Sequence, residues 1–298
     1  MCWPAATAGT VFRDRSPARG RCVVASWAMD ERARRLTAYD TQLRGRPDAP
    51  SALTIDRLGP LWLTTYAGGR VLITYRDLGG ADEAGVRGLV ADALAQCRAD
   101  PAVVHVDWKA RGHDTAPGLH DALVAHGFEP DEVEAIMIGE AAALAVDVPL
   151  PEGVTLRRIR DEGDVRAFSE LQAEVFDIPV EPMLRALMGR LAVDPLMELW
   201  VAEVAEGAGA RMVSGGRLEP VAGTEFAGLW GGATLEVWRG RGIYRALTAE
   251  RARSALRGGF TLMNSDSSDD SRPILERSGF LQVSTTTQYR LDLPARAA

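Results

Sequence analysis

The sequence predicts a mixed α/β fold laid down twice in tandem, with the first copy reduced. Three observations predict it. Apolar runs of strand length alternate with amphipathic stretches of helix length. A ten-residue segment recurs, LHDALVAHGF at Leu119–Phe128 and SRPILERSGF at Ser271–Phe280. The 298-residue chain, 46% apolar and 25% charged, has the size of about two ordinary globular domains.

Composition removes several function classes. No stretch reaches the ~18 uncharged apolar residues of a bilayer span. The most apolar region, 135–150, is broken by Glu140 and Asp147, so no membrane partner is expected. Net charge is −7, from 34 basic and 41 acidic residues. Nucleic-acid binders instead gather basic charge on one face, and none is expected as a partner. Lys109 is the only lysine. Cys2, Cys22 and Cys97 are odd in number, far apart and without a CxxC pair, which fits a reducing cytoplasm. His105, His113, His120 and His126 match no zinc spacing, and no metal is expected.

Residues 1–28 include the basic, Pro/Gly-bearing run Arg13–Arg21. They read as a disordered arm, or as an upstream start the cell does not use, and in either case contribute nothing to the fold. A charged helix follows from Met29 through Arg44. The repeated segments are each a short helix closed by Gly, then an aromatic that starts a strand. Upstream, Ala93-Leu94 with Arg98-Ala99 matches Ala246-Leu247 with Arg251-Ala252. Each half thus carries a long helix, a strand, a short helix and a final strand. The strands are Val103–Val106 and Glu134–Ile138 in the first half, and Thr261–Met263 and Thr286–Leu291 in the second.

The segment VPLPEG, with two prolines and a glycine, marks the boundary between a domain at 29–148 and one at 152–296. The second opens with a strand at Val154–Ile159 and a helix at Asp161–Phe176 that is acidic at its start. A helix near Met183–Val193 comes next, then strands at Leu199–Val204, Met212–Leu218 and Phe226–Thr234. The long helix spans about Gly242 to Leu256.

The informative segment is GGATLEVWRGRGIYRAL, Gly231–Leu247. A strand runs into the turn Arg239-Gly240-Arg241-Gly242, and that turn opens a helix. Backbone amides at a helix N-terminus, unobstructed at glycines, form an anion cradle, and the helix dipole and two arginines add positive potential. Gly231-Gly232 inside a strand indicates a bulge or a close backbone approach. The dinucleotide fingerprint fails for want of a third glycine, and the Walker pattern for want of Gly-Lys-Ser/Thr.

The turn resembles the GNAT acyltransferase superfamily, whose signature Arg/Gln-x-x-Gly-x-Gly/Ala is matched by Arg239, Gly242 and, imperfectly, Tyr244. SRPILERSGF is similar to that family's second motif. The resemblance covers the whole second half and the shared module of the first. It implies that the amides of Arg239, Gly240, Arg241, Gly242, Ile243 and Tyr244 hold the pyrophosphate of acetyl-CoA. It further implies that Gly232, Ala233 and Thr234 pair with pantetheine where the sheet splays. The Ala233 amide would polarise the thioester carbonyl, and Asn264 would touch the cofactor arm.

The departures are equally specific. The family's tyrosine acid falls on Leu275, and its frequent glutamate base on Gly228. The second half has no histidine or cysteine, which leaves Glu225, Glu219 and Ser271 as proton carriers. Tyr244 replaces a small residue, either to pack beside the cofactor or to act in the chemistry. The acidic loop Asn264–Asp270 would draw in an ammonium group.

With the long helices aligned, Gly242 falls on Leu89 and Arg239 on Val86. Residues 45–148 then read as a degenerate copy without cofactor, one that walls the acceptor cleft or makes an interface such as that of a homodimer. The expected activity is transfer of an acetyl or other short acyl group from coenzyme A to an amine of a small molecule or peptide, by direct attack in a ternary complex. The alternative is a catalytically reduced acyl-CoA sensor or scaffold.

Overall fold

The computed structural model describes residues 18–294 apart from Ala208 and Asp270, with side chains from Asp30 onward. Of the expected N-terminal arm, residues 1–17 lie outside the described residues, and 18–28 form the start of helix α1 (Ala18–Leu43). The part of α1 beyond Asp30 packs on the sheet. Leu36, Ala38 and Tyr39 cover Ile136 and Ile138, and Arg35 Nη1 donates to the Ile138 carbonyl at 2.8 Å.

Three short strands follow that the sequence pattern passed over: β1 (Ala52–Leu58), β2 (Leu61–Tyr66) and β3 (Arg70–Thr74). β1 buries little of itself, and Leu53 is exposed, so its pattern carries no clean alternation. Then come α2 (Glu83–Ala99), β4 (His105–Arg111), α3 (Leu119–Ala125), the two-residue β5 (Glu129–Pro130), β6 (Glu134–Glu140) and α4 (Ala141–Leu144). β4 runs on well beyond the expected Val103–Val106, because Trp108 and Asp107 are buried with Val106.

The second half matches expectation closely. β7 (Val154–Ile159) leads to α5 (Glu162–Phe176), whose N-cap Asp161 accepts from the Asp164 amide at 2.9 Å. α6 (Val180–Val193), β8 (Glu198–Glu206), β9 (Gly209–Pro220) and β10 (Phe226–Thr234) follow. A 3-10 turn at Glu236–Trp238 precedes α7 (Ile243–Arg257), β11 (Leu262–Ser267), α8 (Arg272–Glu276) and β12 (Leu281–Asp292). Among the described residues, no helix is long and apolar enough to cross a membrane.

The repeat is real at its C-terminal caps. Phe128 N–H donates to the Leu123 carbonyl and Phe280 N–H to the Leu275 carbonyl, both at 3.1 Å. Gly127 (φ 90°) and Gly279 (φ 81°) supply the left-handed residue that this cap requires. Both phenylalanines are 2% exposed, a burial each worth roughly 1.5–3 kcal/mol.

The upstream match does not survive. Asp82 caps α2 and Gly242 caps α7, each opening the helix that crosses between two parallel strands, β3 to β4 and β10 to β11. Leu89 therefore lies well inside α2, packed on the first-half core, and is not the counterpart of Gly242. The Ala-Leu pairs matched by composition because both helices bury small and aliphatic residues, not because they share a register.

The sheet is continuous across the halves, in the order β1-β2-β3-β4-β12-β6-β11-β10-β9-β8-β7, with β5 beside β12. The final strands are exchanged. β12 pairs with β4, β5 and β6, all from the first half, and β6 pairs with β11 of the second. On β6, Ile136 and Ile138 face α1, while Ala135 and Met137 join Ala252, Leu275 and Phe280 in the core on the other side. Gly139 is required there, since a Cβ would fall 2.1 Å from the Phe280 ring.

Candidate active site

β10 and β11 run parallel in register only through Phe226↔Leu262, Ala227↔Met263 and Gly228↔Asn264. Beyond that pair they part, β10 running on to Thr234 and β11 to Ser267. β10 keeps its antiparallel partner β9, with a register shift between Trp230 and Ala233 where Gly231 takes φ 55°. This is the bulge expected at Gly231-Gly232. It also explains the glycines. A Cβ on Gly231 would fall 2.5 Å from Arg217 Nη1, and one on Gly232 2.6 Å from the Tyr244 ring. Gln172 Nε2 donates to the Gly231 carbonyl, and Ser214 Oγ to that of Ala233, each at 2.8 Å. The splayed edge is thus held from behind.

The turn that follows opens α7. Gly240 (φ 72°) and Gly242 (φ 79°) have the left-handed backbone that admits successive amides pointing one way. The Arg239 amide is spent on the Glu236 carbonyl. The amides of Gly240 through Arg245 meet no acceptor among the described residues, and Gly242 supplies no side-chain cap. These open donors, at the positive end of a helix dipole, are the physical content of an anion site. Arg239 Nε donates to the Thr234 carbonyl at 3.1 Å, and the Arg241 guanidinium lies 4.8 Å from the Trp238 ring centroid. Ile243, Ala246 and Leu247 anchor the helix in the core. Tyr244 lays its ring on Gly232 and lies 6.0 Å from the buried Arg251 guanidinium, which bonds to the Arg217 carbonyl.

Asn264 closes the apex of the splay. It is 5% exposed, and its Oδ1 is buried without a hydrogen-bond partner. Such an atom costs about 1–3 kcal/mol unless a ligand or water satisfies it.

The three proton-carrier candidates are scattered. Glu219 stands opposite Gly228, gripped by Arg190 Nη1 and Nη2 at 2.9 and 2.7 Å and by Arg217 Nε at 2.8 Å. Burial opposes its ionisation, but the bonds and charges of the two arginines outweigh it and hold its carboxyl below the usual range. Glu225 sits at the paired end of β10, away from the splay, where it accepts from Gln42 Nε2. Ser271 precedes α8, its Oγ donating to the Ser268 carbonyl at 3.3 Å. Leu275 is core, as its apolar side chain requires.

A cluster that sequence reasoning missed lies on the splay itself. Asn264, Ser265, Asp266 and Ser267, read as part of a loop, are strand residues of β11. Asp266 lies two residues past the last β10–β11 pair, and its partner is Lys109 of β4. Lys109 Nζ is also 5.7 Å from the Trp230 ring. The lone lysine was the available signal. What it touches was hidden, because only strand exchange brings β4 within reach of β11.

No protein-family model matches the sequence, and no curated protein matches it. Solved structures do. A GCN5-related N-acetyltransferase from Kribbella flavida superposes with TM-score 0.60 at 17% identity, covering 90% of this chain and 96% of that one. A tandem GNAT protein from the clavulanic acid biosynthesis pathway gives TM-score 0.58 at 16% identity, covering 94% and 97%. The chain has the tandem GNAT fold. A GCN5-related N-acetyltransferase from Sphaerobacter thermophilus gives TM-score 0.56 at 20% identity, over 80% of this chain and 78% of that one. Within the GNAT fold, the parted strands and the open turn fall in the second half, where the sequence motif lies.

Proposed function

We propose that the chain is an acyl-CoA-dependent N-acyltransferase, transferring an acetyl or other short acyl group to an amine by direct attack. The observation that carries this reading is the run of open amides from Gly240 to Arg245 beside the parted strands β10 and β11. The residues fit the cofactor. The amides would hold its pyrophosphate, with Arg239 and Arg241 adding charge at the rim. The free edge of β10 from Gly232 to Thr234 would pair with the pantetheine arm, and the orphaned Asn264 Oδ1 would accept one of that arm's N–H groups. Bound there, coenzyme A would supply an activated acyl carbon and a thiolate leaving group.

The chain's own part is to orient and to polarise. Gln172 and Ser214 fix the bulged edge, so that an amide near Ala233 is set before the reaction begins and costs no reorganisation. The first half holds no second cofactor in this reading. Asp82 Oδ1 already accepts from the Gly85 amide at α2, and its charge repels phosphate.

Calorimetry with coenzyme A, beside thiol release from acetyl-CoA over a panel of primary amines, tests this. One site per chain and amine-dependent release are expected. Absence of binding overturns the reading, and binding without release with any amine favours the sensor alternative, which the Leu275 and Gly228 substitutions motivate.

A further inference from the structure

Asp266 faces the splay. Gly228 and Asn264 are paired, so Trp230 and Asp266, each two residues on, share their face of the sheet. Lys109 contacts both, which confirms the geometry. The Asp266 side chain is only 6% exposed, and the orphaned Asn264 Oδ1 lies on the same face, two residues behind it. Lys109 occupies one oxygen of this carboxylate; its other oxygen and the partnerless Asn264 Oδ1 together can receive a ligand that brings N–H donors. We propose that Asp266 takes the proton from the attacking amine, and that Lys109, delivered by the other half of the chain, positions its carboxylate. This rests on the acyltransferase reading and adds the residue that reading lacks.

A route outward for the proton is present. Ile136 is the register partner of Asp266, and Glu134 lies two residues from it on the same face of the exchanged strand β6. Glu134 lines a cavity of about 390 Å³ together with Asp131, Ser268, Asp269, Gln288 and Arg290. Burial, and then the charge of Asp266, push its carboxyl above the usual range, with Lys109 opposing. The groups facing this pair are Lys109 and Arg111 from β4, Trp230 from β10, and Asp131 and Arg290 around Glu134. In the step itself the ammonium group first gives one proton to Asp266, which passes it to Glu134 and then to water. The neutral nitrogen forms its bond to the acyl carbon, the carbon–sulfur bond breaks, and the sulfur leaves with the electron pair. The second proton of the nitrogen goes to that departing thiolate. An acidic entrance favours an acceptor that arrives as a primary ammonium ion.

The test is steady-state kinetics of the full chain with acetyl-CoA and a panel of primary amines, beside calorimetry with coenzyme A. Asp266→Asn should lower kcat by about 100-fold or more, with affinity for coenzyme A unchanged. Lys109→Met should lower kcat about tenfold and Lys109→Arg restore part of it, an outcome that mere loss of packing does not give. Glu134→Gln should lower kcat several-fold with affinity for coenzyme A unchanged, since the outward route loses the carboxylate that takes the proton on. If an orphaned charge unfolds either single variant, Lys109→Met/Asp266→Asn removes both charges, and its activity should stay low in a folded protein. Asp266→Asn, or the double variant, retaining kcat close to wild type overturns the proposal. So does wild-type protein that binds coenzyme A yet acylates no amine, which leaves the cofactor site standing. Failure to bind coenzyme A overturns instead the acyltransferase reading beneath it.

Discussion

Gly242 and Asp82 occupy the same place in the two halves, each capping the helix that crosses between parallel strands. One leaves its helix amides open. The other caps its helix with its own carboxylate, which accepts from the Gly85 amide. That difference separates a helix end able to receive a diphosphate from one that is already satisfied.

Gly242→Asp transfers the first half's solution to the second. A Cβ there meets only ordinary contacts, 3.9 Å from the Pro149 carbonyl oxygen and Val148 Cγ1. The left-handed backbone makes the change cost about 1 kcal/mol, and aspartate tolerates it better than most residues. The variant should fold and lose at least tenfold in affinity for coenzyme A, about 1.4 kcal/mol. Gly242→Asn, with equal strain and no charge, should lose less. Calorimetry and thermal melts on the same samples decide it, and equal affinities for wild type and Gly242→Asp would place the phosphate elsewhere.

Strand exchange predicts that the halves depend on each other. All three pairing partners of β12 lie in the first half, and β11 gains its outer neighbour from β6. Fragments 1–150 and 151–298 expressed separately should aggregate through unpaired strand edges. Expressed together, they should give a soluble 1:1 complex. A monomeric, folded 151–298 fragment by size-exclusion chromatography would contradict this.

Glu219 is expected to hold structure. Its folded pKa is lowered from 4.5, so its contribution is fully present above that value and fades as pH falls through the folded one. Glu219→Gln leaves Arg190 and Arg217 without their carboxylate and should cost about 3 kcal/mol at neutral pH. Urea denaturation should show the gap between wild type and variant shrinking below pH 4.5.

Cys97 lies in the first-half core, where burial pushes its thiol up from 9.0 to about 11. The folded state keeps the thiol protonated while the unfolded chain ionises. The stability this group contributes is therefore intact below pH 9 and is lost between pH 9 and about 11. In a Cys2→Ser/Cys22→Ser background, Ellman's reagent at pH 8 should react only on unfolding. Rapid reaction of the native protein would show the site to be open.

Local sequence signals were enough wherever one segment decides its own conformation. Asp161 names the start of α5, Gly127 and Gly279 the ends of two short helices, and Gly231-Gly232 the bulge in β10. Each rests on a backbone preference or a cap within a few residues. Composition alone misled at Leu89, because two helices that bury similar side chains match at a register set by chance.

The sequence by itself thus determined the α/β class, most of the second half's elements, the repeated caps and the open turn at Arg239–Gly242. Tertiary structure alone decided that β6 and β12 change places, that Glu219 is clamped by Arg190 and Arg217, and that Lys109 meets Asp266 beside Trp230. The reason is physical. Caps and glycine turns are fixed by near neighbours in the chain. Strand order is fixed by which buried faces and unpaired edges meet once all the strands compete for partners.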